Sequence, residues 1–98
     1  VNGLRFEWDS RKAAENRRKH GVPFEEARTV FLDESALLRS DEDHSVEEDR
    51  FVLLGFSARM RMLVVCHCYR QDDEVIRLIS ARRANSVERK QYEHRRMR

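Results

Sequence analysis

Proline and glycine are scarce in this sequence of 98 residues, with one proline and three glycines. That leaves no material for a linker or a low-complexity segment, so a single domain is expected over 1–98. Long apolar runs are missing too. None approaches the roughly 20 residues that cross a bilayer, and no charged-then-apolar leader opens the chain, so a cytosolic protein with no membrane role is expected. The two cysteines, Cys66 and Cys68, are spaced too tightly for an easy disulfide. On a strand they share one face while His67 points to the other, so the three side chains cannot converge on a metal ion. Free thiols in a reducing compartment, with no metal and no cofactor, are the expectation. Apolar residues make up 40% of the chain and charged residues 39%. A chain of this size buries about 60–65% of its unfolded surface, which permits a modest two-layer core.

The net charge of +2 conceals a split. Residues 1–50 hold nine Lys/Arg against thirteen Asp/Glu, and residues 51–98 hold eleven against five. Arginine, whose planar fork matches phosphate, outnumbers lysine. A basic second half suits an anionic partner, either a nucleic acid or an acidic protein, though a solvated helix face would carry the same charges.

Periodicity divides the chain into β-α-α-β-β-β-β-α, an α+β domain. It predicts an antiparallel sheet with two N-terminal helices packed on it and a C-terminal helix. Leu4, Phe6 and Trp8 alternate with polar residues as a short strand. Asp9 or Ser10 can cap a helix that runs to Lys19, and Gly21 supplies its left-handed stop. Pro23 fits the first turn of a second helix, whose stripe is Phe24, Ala27 and Phe31. Residues 35–39 form a weak strand, and FVLLGF, MLVVCHCY and EVIRLISA form three strong ones joined by hairpin-length connections. A last helix starts at Asn85 or Ser86. Strand parity puts His67 and Tyr69 on one side of their strand and Arg77 on the mixed side of the next. If these sides coincide they form a partly open basic and aromatic surface. The same parity places Arg82 with Ile76 and Leu78, and Arg83 with Arg77.

Three segments carry a family resemblance: FEWDSRKAAENRRKHGVPFEEARTVF at 6–31, DEDHSVEEDRFVLLGFS at 41–57 and IRLISARRANSVERKQYE at 76–93. In this order, and in the KHG-then-FEEA, DHS and ISARRA elements, the chain resembles the BrnT toxins of bacterial toxin–antitoxin pairs. The resemblance implies a RelE-like fold and endoribonuclease activity without a cofactor. It further implies neutralisation by a cognate BrnA-like antitoxin, in a 2:2 assembly that binds operator DNA and represses its own operon.

Metal-independent RNA cleavage needs a base for the ribose 2′ proton, cations for the charged phosphorane and an acid for the leaving 5′ oxygen. His44 is the first candidate proton carrier. It precedes Ser45, which with Glu48 can form a capping box, although a solvated loop histidine would look the same. The DHS element turns that choice toward catalysis. Capping the first helix is the plainer role for Lys19 and His20, above all for His20, and the resemblance implies phosphate contact for Lys19. Glu25 is either a base or an anion favoured at a helix start. Arg50 can hold phosphate or pair with nearby carboxylates. Arg77 and at least one of Arg82 and Arg83 are expected to clamp the scissile phosphate, because a lone arginine in VIRLIS must reach water or an anion. Arg61 and His67 are candidates for RNA contact, although a satisfied histidine on a packed face is the plainer reading of His67, and Tyr92 reads as core or rim. The acidic run 41–49 lacks the central Gly and terminal Glu of a calcium loop. Two other functions fit the same fold: a ParE-like toxin without nuclease activity, and a non-catalytic module binding an acidic partner or operator DNA.

Overall fold

The computed structural model describes residues 4–41 and 49–97. Strand β1 (Arg5–Glu7) leads into α1 (Ser10–His20), then a single-turn α2 (Phe24–Ala27) that tightens into a 3-10 segment (Arg28–Leu32). Strands β2 (Leu37–Ser40), β3 (Phe51–Phe56), β4 (Met62–Arg70) and β5 (Val75–Arg83) follow, and α3 (Ser86–Arg96) closes the chain. Among the described residues the sheet has five strands in the order β1-β5-β4-β3-β2. The α+β class and the element order agree with the sequence pattern.

The local signals act as capping chemistry requires. Asp9 accepts hydrogen bonds from the Arg11 and Lys12 N–H groups at the start of α1, and Gly21 ends that helix at φ 70°. Asn85 caps α3 and exchanges hydrogen bonds with Glu88 in a capping box. Pro23 is the residue before α2 rather than its first turn. The predicted box of Ser45 and Glu48 lies outside the described residues.

Two expectations are corrected. The sheet is mixed, not antiparallel, because β1 runs parallel to β5 with Phe6 opposite Ile76 and Glu7 opposite Arg77. Periodicity identifies strands but not neighbours; here the free edge of β5 takes the first strand, which half-buries Phe6 and pairs Glu7 with Arg77. The second helix is a single α turn. Its continuation has three residues per turn, so Phe24, Ala27 and Val30 share the fully buried face, and Phe31 is only partly buried.

The helices cover the two sheet faces unequally. Val22, Phe24, Ala27 and Val30 pack with Leu53, Leu63, Val65, Ile76, Leu78 and Ala81 into the main core. There the 3-10 segment and the turn after it approach β3 so closely that a Cβ on Gly55 would lie 3.1 Å from Val30 Cγ1 and 2.9 Å from the Ala36 Cβ. The other face carries a smaller cluster of Leu54, Met62 and Val64 under Tyr92 of α3. Asp33 anchors that helix, since its carboxylate accepts from the Tyr92 hydroxyl at 2.8 Å and the Phe56 N–H at 2.9 Å. Tyr92 is therefore core, as expected. Beyond α3, no other described element covers this second face.

Candidate functional site

The open part of the second face is a cleft of about 670 Å³. Its floor is Val52, Val64, Cys66 and Ser80, and its charged rim is Arg39, Asp41, Arg50, Arg82 and Glu88. Alternation along the paired strands puts these side chains together: Arg39 pairs with Val52, Val52 with Cys66, Cys66 with Ser80, and Val64 with Arg82. Residues opposite each other in a ladder share a face.

Arg82 is firmly held. Its two terminal nitrogens donate to the two Glu88 carboxylate oxygens at 2.9 and 2.8 Å. Glu88 in turn accepts from the Asn85 N–H at 2.8 Å, so one carboxylate caps α3 and orients the guanidinium. Arg82 holds the Glu88 carboxyl below its ordinary range, against the opposing effect of burial. The planar pairing leaves the guanidinium charged and in a fixed direction. Burial pushes the Cys66 thiol up, the Asp41 charge adds to that, and Arg50 opposes it. Cys66 is therefore a neutral thiol near pH 7 rather than a nucleophile. The backbone N–H of Asp41 donates to the Arg50 carbonyl at 2.8 Å, which fixes two rim residues beside each other.

Of the residues singled out from sequence, Arg50 and Arg82 meet in the cleft, and His44 lies outside the described residues. The others are elsewhere. Lys19 and Glu25 are exposed on α1 and α2 and do not line the cleft. Arg61 is committed to Glu26: its Nε donates to the carboxylate at 2.9 Å, a terminal nitrogen makes a second, shorter bond, and another bond of 3.1 Å reaches the Gly21 carbonyl. That pairing, with the Ser57 hydroxyl donating at 2.7 Å, holds the Glu26 carboxyl low against burial.

His67 is 0% exposed, so it cannot touch RNA as expected. It sits among Phe31, Phe51 and Tyr69, with Nδ1 at 3.2 Å from the Val65 carbonyl and Nε2 at 3.3 Å from the Tyr69 hydroxyl. Burial pushes its pKa below the ordinary value, with the Val65 carbonyl in partial opposition. The expected union of His67, Tyr69 and Arg77 on one surface does not occur. His67 and Tyr69 face the helix-covered core, whereas Arg77 lies opposite Cys68 on the other face and donates to Glu7 at 2.8 Å.

The parity assigned to Arg82 and Arg83 is reversed for a definite reason. Cys66 pairs with Ser80 but His67 pairs with Leu78, so Ile79 is an extra residue, a β-bulge in β5. Beyond it every side chain changes face. Arg82 therefore joins the Arg77 face and enters the cleft, and exposed Arg83 turns to the helix side. Sequence reasoning missed Arg39, Asp41 and Glu88. Arg39 was legible as the charged residue that follows the apolar run 36–38, and Glu88 as the third residue after a capping Asn.

The sequence profile of the BrnT family, described as the ribonuclease toxin of a type II toxin–antitoxin system, matches residues 8–88. The chain belongs to the BrnT ribonuclease toxins. Its fold also matches the 1.1 Å crystal structure of the ribonuclease toxin BrnT from Brucella abortus, with a TM-score of 0.64 and 22% identity. The match covers 85% of this chain and 99% of that one. No curated protein matches the chain. As a BrnT toxin it is an endoribonuclease by family, and its natural inhibitor is a protein antitoxin. Among the described residues no helix is long and apolar enough to cross a membrane.

Proposed function

We propose that this BrnT chain cleaves RNA in the cleft between β2, β5 and α3 without a metal ion. The observation that supports this most is the Arg82 guanidinium, fixed by Glu88 at the edge of a concave face that also presents Arg39 and Arg50. A preorganised cation stabilises a developing phosphorane more than a mobile one, because it needs no reorganisation as charge builds. In this reading Arg82 and Arg50 hold the non-bridging oxygens and Arg39 takes the neighbouring phosphate. His44, three residues from Asp41 in the chain, moves the proton. Arg77 belongs to the Glu7 ion pair rather than to the clamp. The enzyme acts in the cytosol. A BrnA-like antitoxin, in a complex of two copies of each chain that binds operator DNA, completes the system.

The test is cleavage of bare RNA by the purified chain in EDTA. Cleavage should persist, with products ending in 2′,3′-cyclic phosphate. Loss on chelation with recovery in Mg²⁺ would defeat the side-chain mechanism. Arg82→Ala should lower the rate by roughly a hundredfold or more, about 3 kcal/mol of transition-state stabilisation. Arg82→Lys should recover only part of it, since lysine cannot hold both Glu88 oxygens in a plane and its charge is left without a fixed direction. A normal rate for Arg82→Ala would remove the cleft from the mechanism.

A further inference from the structure

The outer side of α1 carries five cations, Arg11, Lys12, Arg17, Arg18 and Lys19, against the single carboxylate of Glu15. All five are exposed, and none has an acidic partner in an ion pair among the described residues. Helix stability accounts for part of this pattern only. Arg17, Arg18 and Lys19 lie in the last turn, where the helix dipole favours cations. Arg11 and Lys12 lie in the first turn, where the dipole disfavours them and the carboxylate that offsets it is the capping Asp9, already bonded to their backbone N–H groups. Arg11 and Arg18 are seven residues apart, as are Lys12 and Lys19, so each pair lies on one side of the helix about 10.5 Å apart. The result is a double row of positive charge along two turns.

The direction of α1 connects this row to the cleft. At its start, Asp9 lies within the field of Arg77. Further on, the Asn16 side chain pairs with the backbone of Ala81 like a strand residue: its oxygen accepts from the Ala81 N–H at 3.0 Å and its nitrogen donates to the Ala81 carbonyl at 2.8 Å. The helix therefore runs in the same sense as β5, and its last turn comes toward the level of Arg83. Strand β1 pairs β5 only from Val75 to Arg77. Past that point the edge of β5 is free of any other strand among the described residues. Arg83 and Arg82, consecutive at the end of that edge, face the helix side and the cleft side respectively. Positive charge thus continues from α1 over the edge and into the cleft.

We propose that α1 and Arg83 form a second RNA-binding surface, which holds the phosphate backbone of a single strand and leads it around the edge of β5 into the cleft. The proposal rests on reading the cleft as the RNA site. Continuity with Arg82 favours RNA over an acidic protein, which would need no path between the two faces. A backbone track of this kind adds affinity for long substrates and is insensitive to sequence.

The experiment compares the full chain with its Arg11→Gln/Arg18→Gln variant. Binding of a 20-nucleotide 2′-O-methyl RNA, which lacks the attacking hydroxyl, is measured against salt, with thermal midpoints confirming that the variant is folded. The slope of log Kd against log salt should shrink by about 1.4, two single-strand phosphate contacts at roughly 0.7 each. KM for a cleavable 20-mer should rise several-fold with kcat held, while KM for a tetranucleotide moves far less. Arg11→Lys/Arg18→Lys should restore the slope, because a track reads charge rather than a fork. An unchanged slope, or equal loss on long and short substrates, would overturn the surface. Loss of antitoxin affinity with the RNA slope intact would overturn it in favour of an acidic protein. If the parent chain cleaves no RNA but the slope still shrinks, the surface stands and the cleft reading fails.

Discussion

His67 shows how completely a side chain's surroundings decide its role. Burial among Phe31, Phe51 and Tyr69 lowers its pKa, so the folded protein resists protonating it while the unfolded chain does not. For a base whose folded pKa is depressed, stability is full above the unfolded value near 6.5 and falls as pH drops below it. The loss is at most about 1.4 kcal/mol per pH unit for one proton. Glu26, Asp33 and Glu88, all held low, lose their contributions only further down, below about pH 4.5. Denaturant unfolding between pH 7 and pH 5 should therefore show falling stability for the parent chain. His67→Phe, which keeps an aromatic ring in the cage, should flatten the curve over that interval. An equally steep curve in the variant would assign the loss to another group. The alternation of Cys66, His67 and Cys68 was legible without coordinates, because strand period alone separates the thiols from the imidazole. That His67 faces core was one of two readings the sequence left open, since an imidazole suits a wet face and a packed one alike.

At the scale of elements, α1 docks through one polar residue rather than an apolar stripe. Asn16 is buried and satisfies the Ala81 N–H, the Ala81 carbonyl and the Val22 carbonyl, the last at 3.0 Å. Asn16→Leu would leave those backbone groups without partners in a water-poor site, at about 1–3 kcal/mol for each group left unsatisfied. With three such groups, a loss of at least about 3 kcal/mol in unfolding free energy is expected, with the midpoint falling accordingly. A loss under about 0.5 kcal/mol, the range of ordinary surface changes, would show that packing rather than the amide holds the helix. Helix ends, hairpins and the Asn85 cap could be read from sequence because each depends on a few adjacent residues. The bulge at Ile79 could not, because it appears only when β5 is laid against β4. That one extra residue reversed the faces of Arg82 and Arg83, so the position of the clamp was unreadable even though its residue type was not. The parallel pairing of β1 was hidden for the same reason, as it depends on which edge remains free.

Among the described residues the sheet has one helix-covered face and one that α3 covers only in part, and an inhibitor can act in two ways on such a shape. An antitoxin can fill the cleft, or it can bind elsewhere and act on RNA access from a distance. Either way it stabilises the fold by mass action, by about 2.7 kcal/mol at a hundredfold excess over Kd. A rise in thermal midpoint therefore does not separate the two. The cysteines do. Cys66 is partly exposed on the cleft floor, whereas Cys68 is buried. The raised Cys66 pKa makes alkylation slow near neutrality and faster in mildly alkaline buffer, where more thiolate forms. We expect saturating antitoxin to slow Cys66 alkylation at pH 9 in proportion to the fraction of toxin bound, with Cys68 unreactive throughout. Cys66→Ser should retain RNA cleavage, since a neutral thiol takes no part in the proposed chemistry. An antitoxin that abolishes cleavage while Cys66 reacts at its free rate would place inhibition outside the cleft, and the α1 surface would then be the face to examine for it.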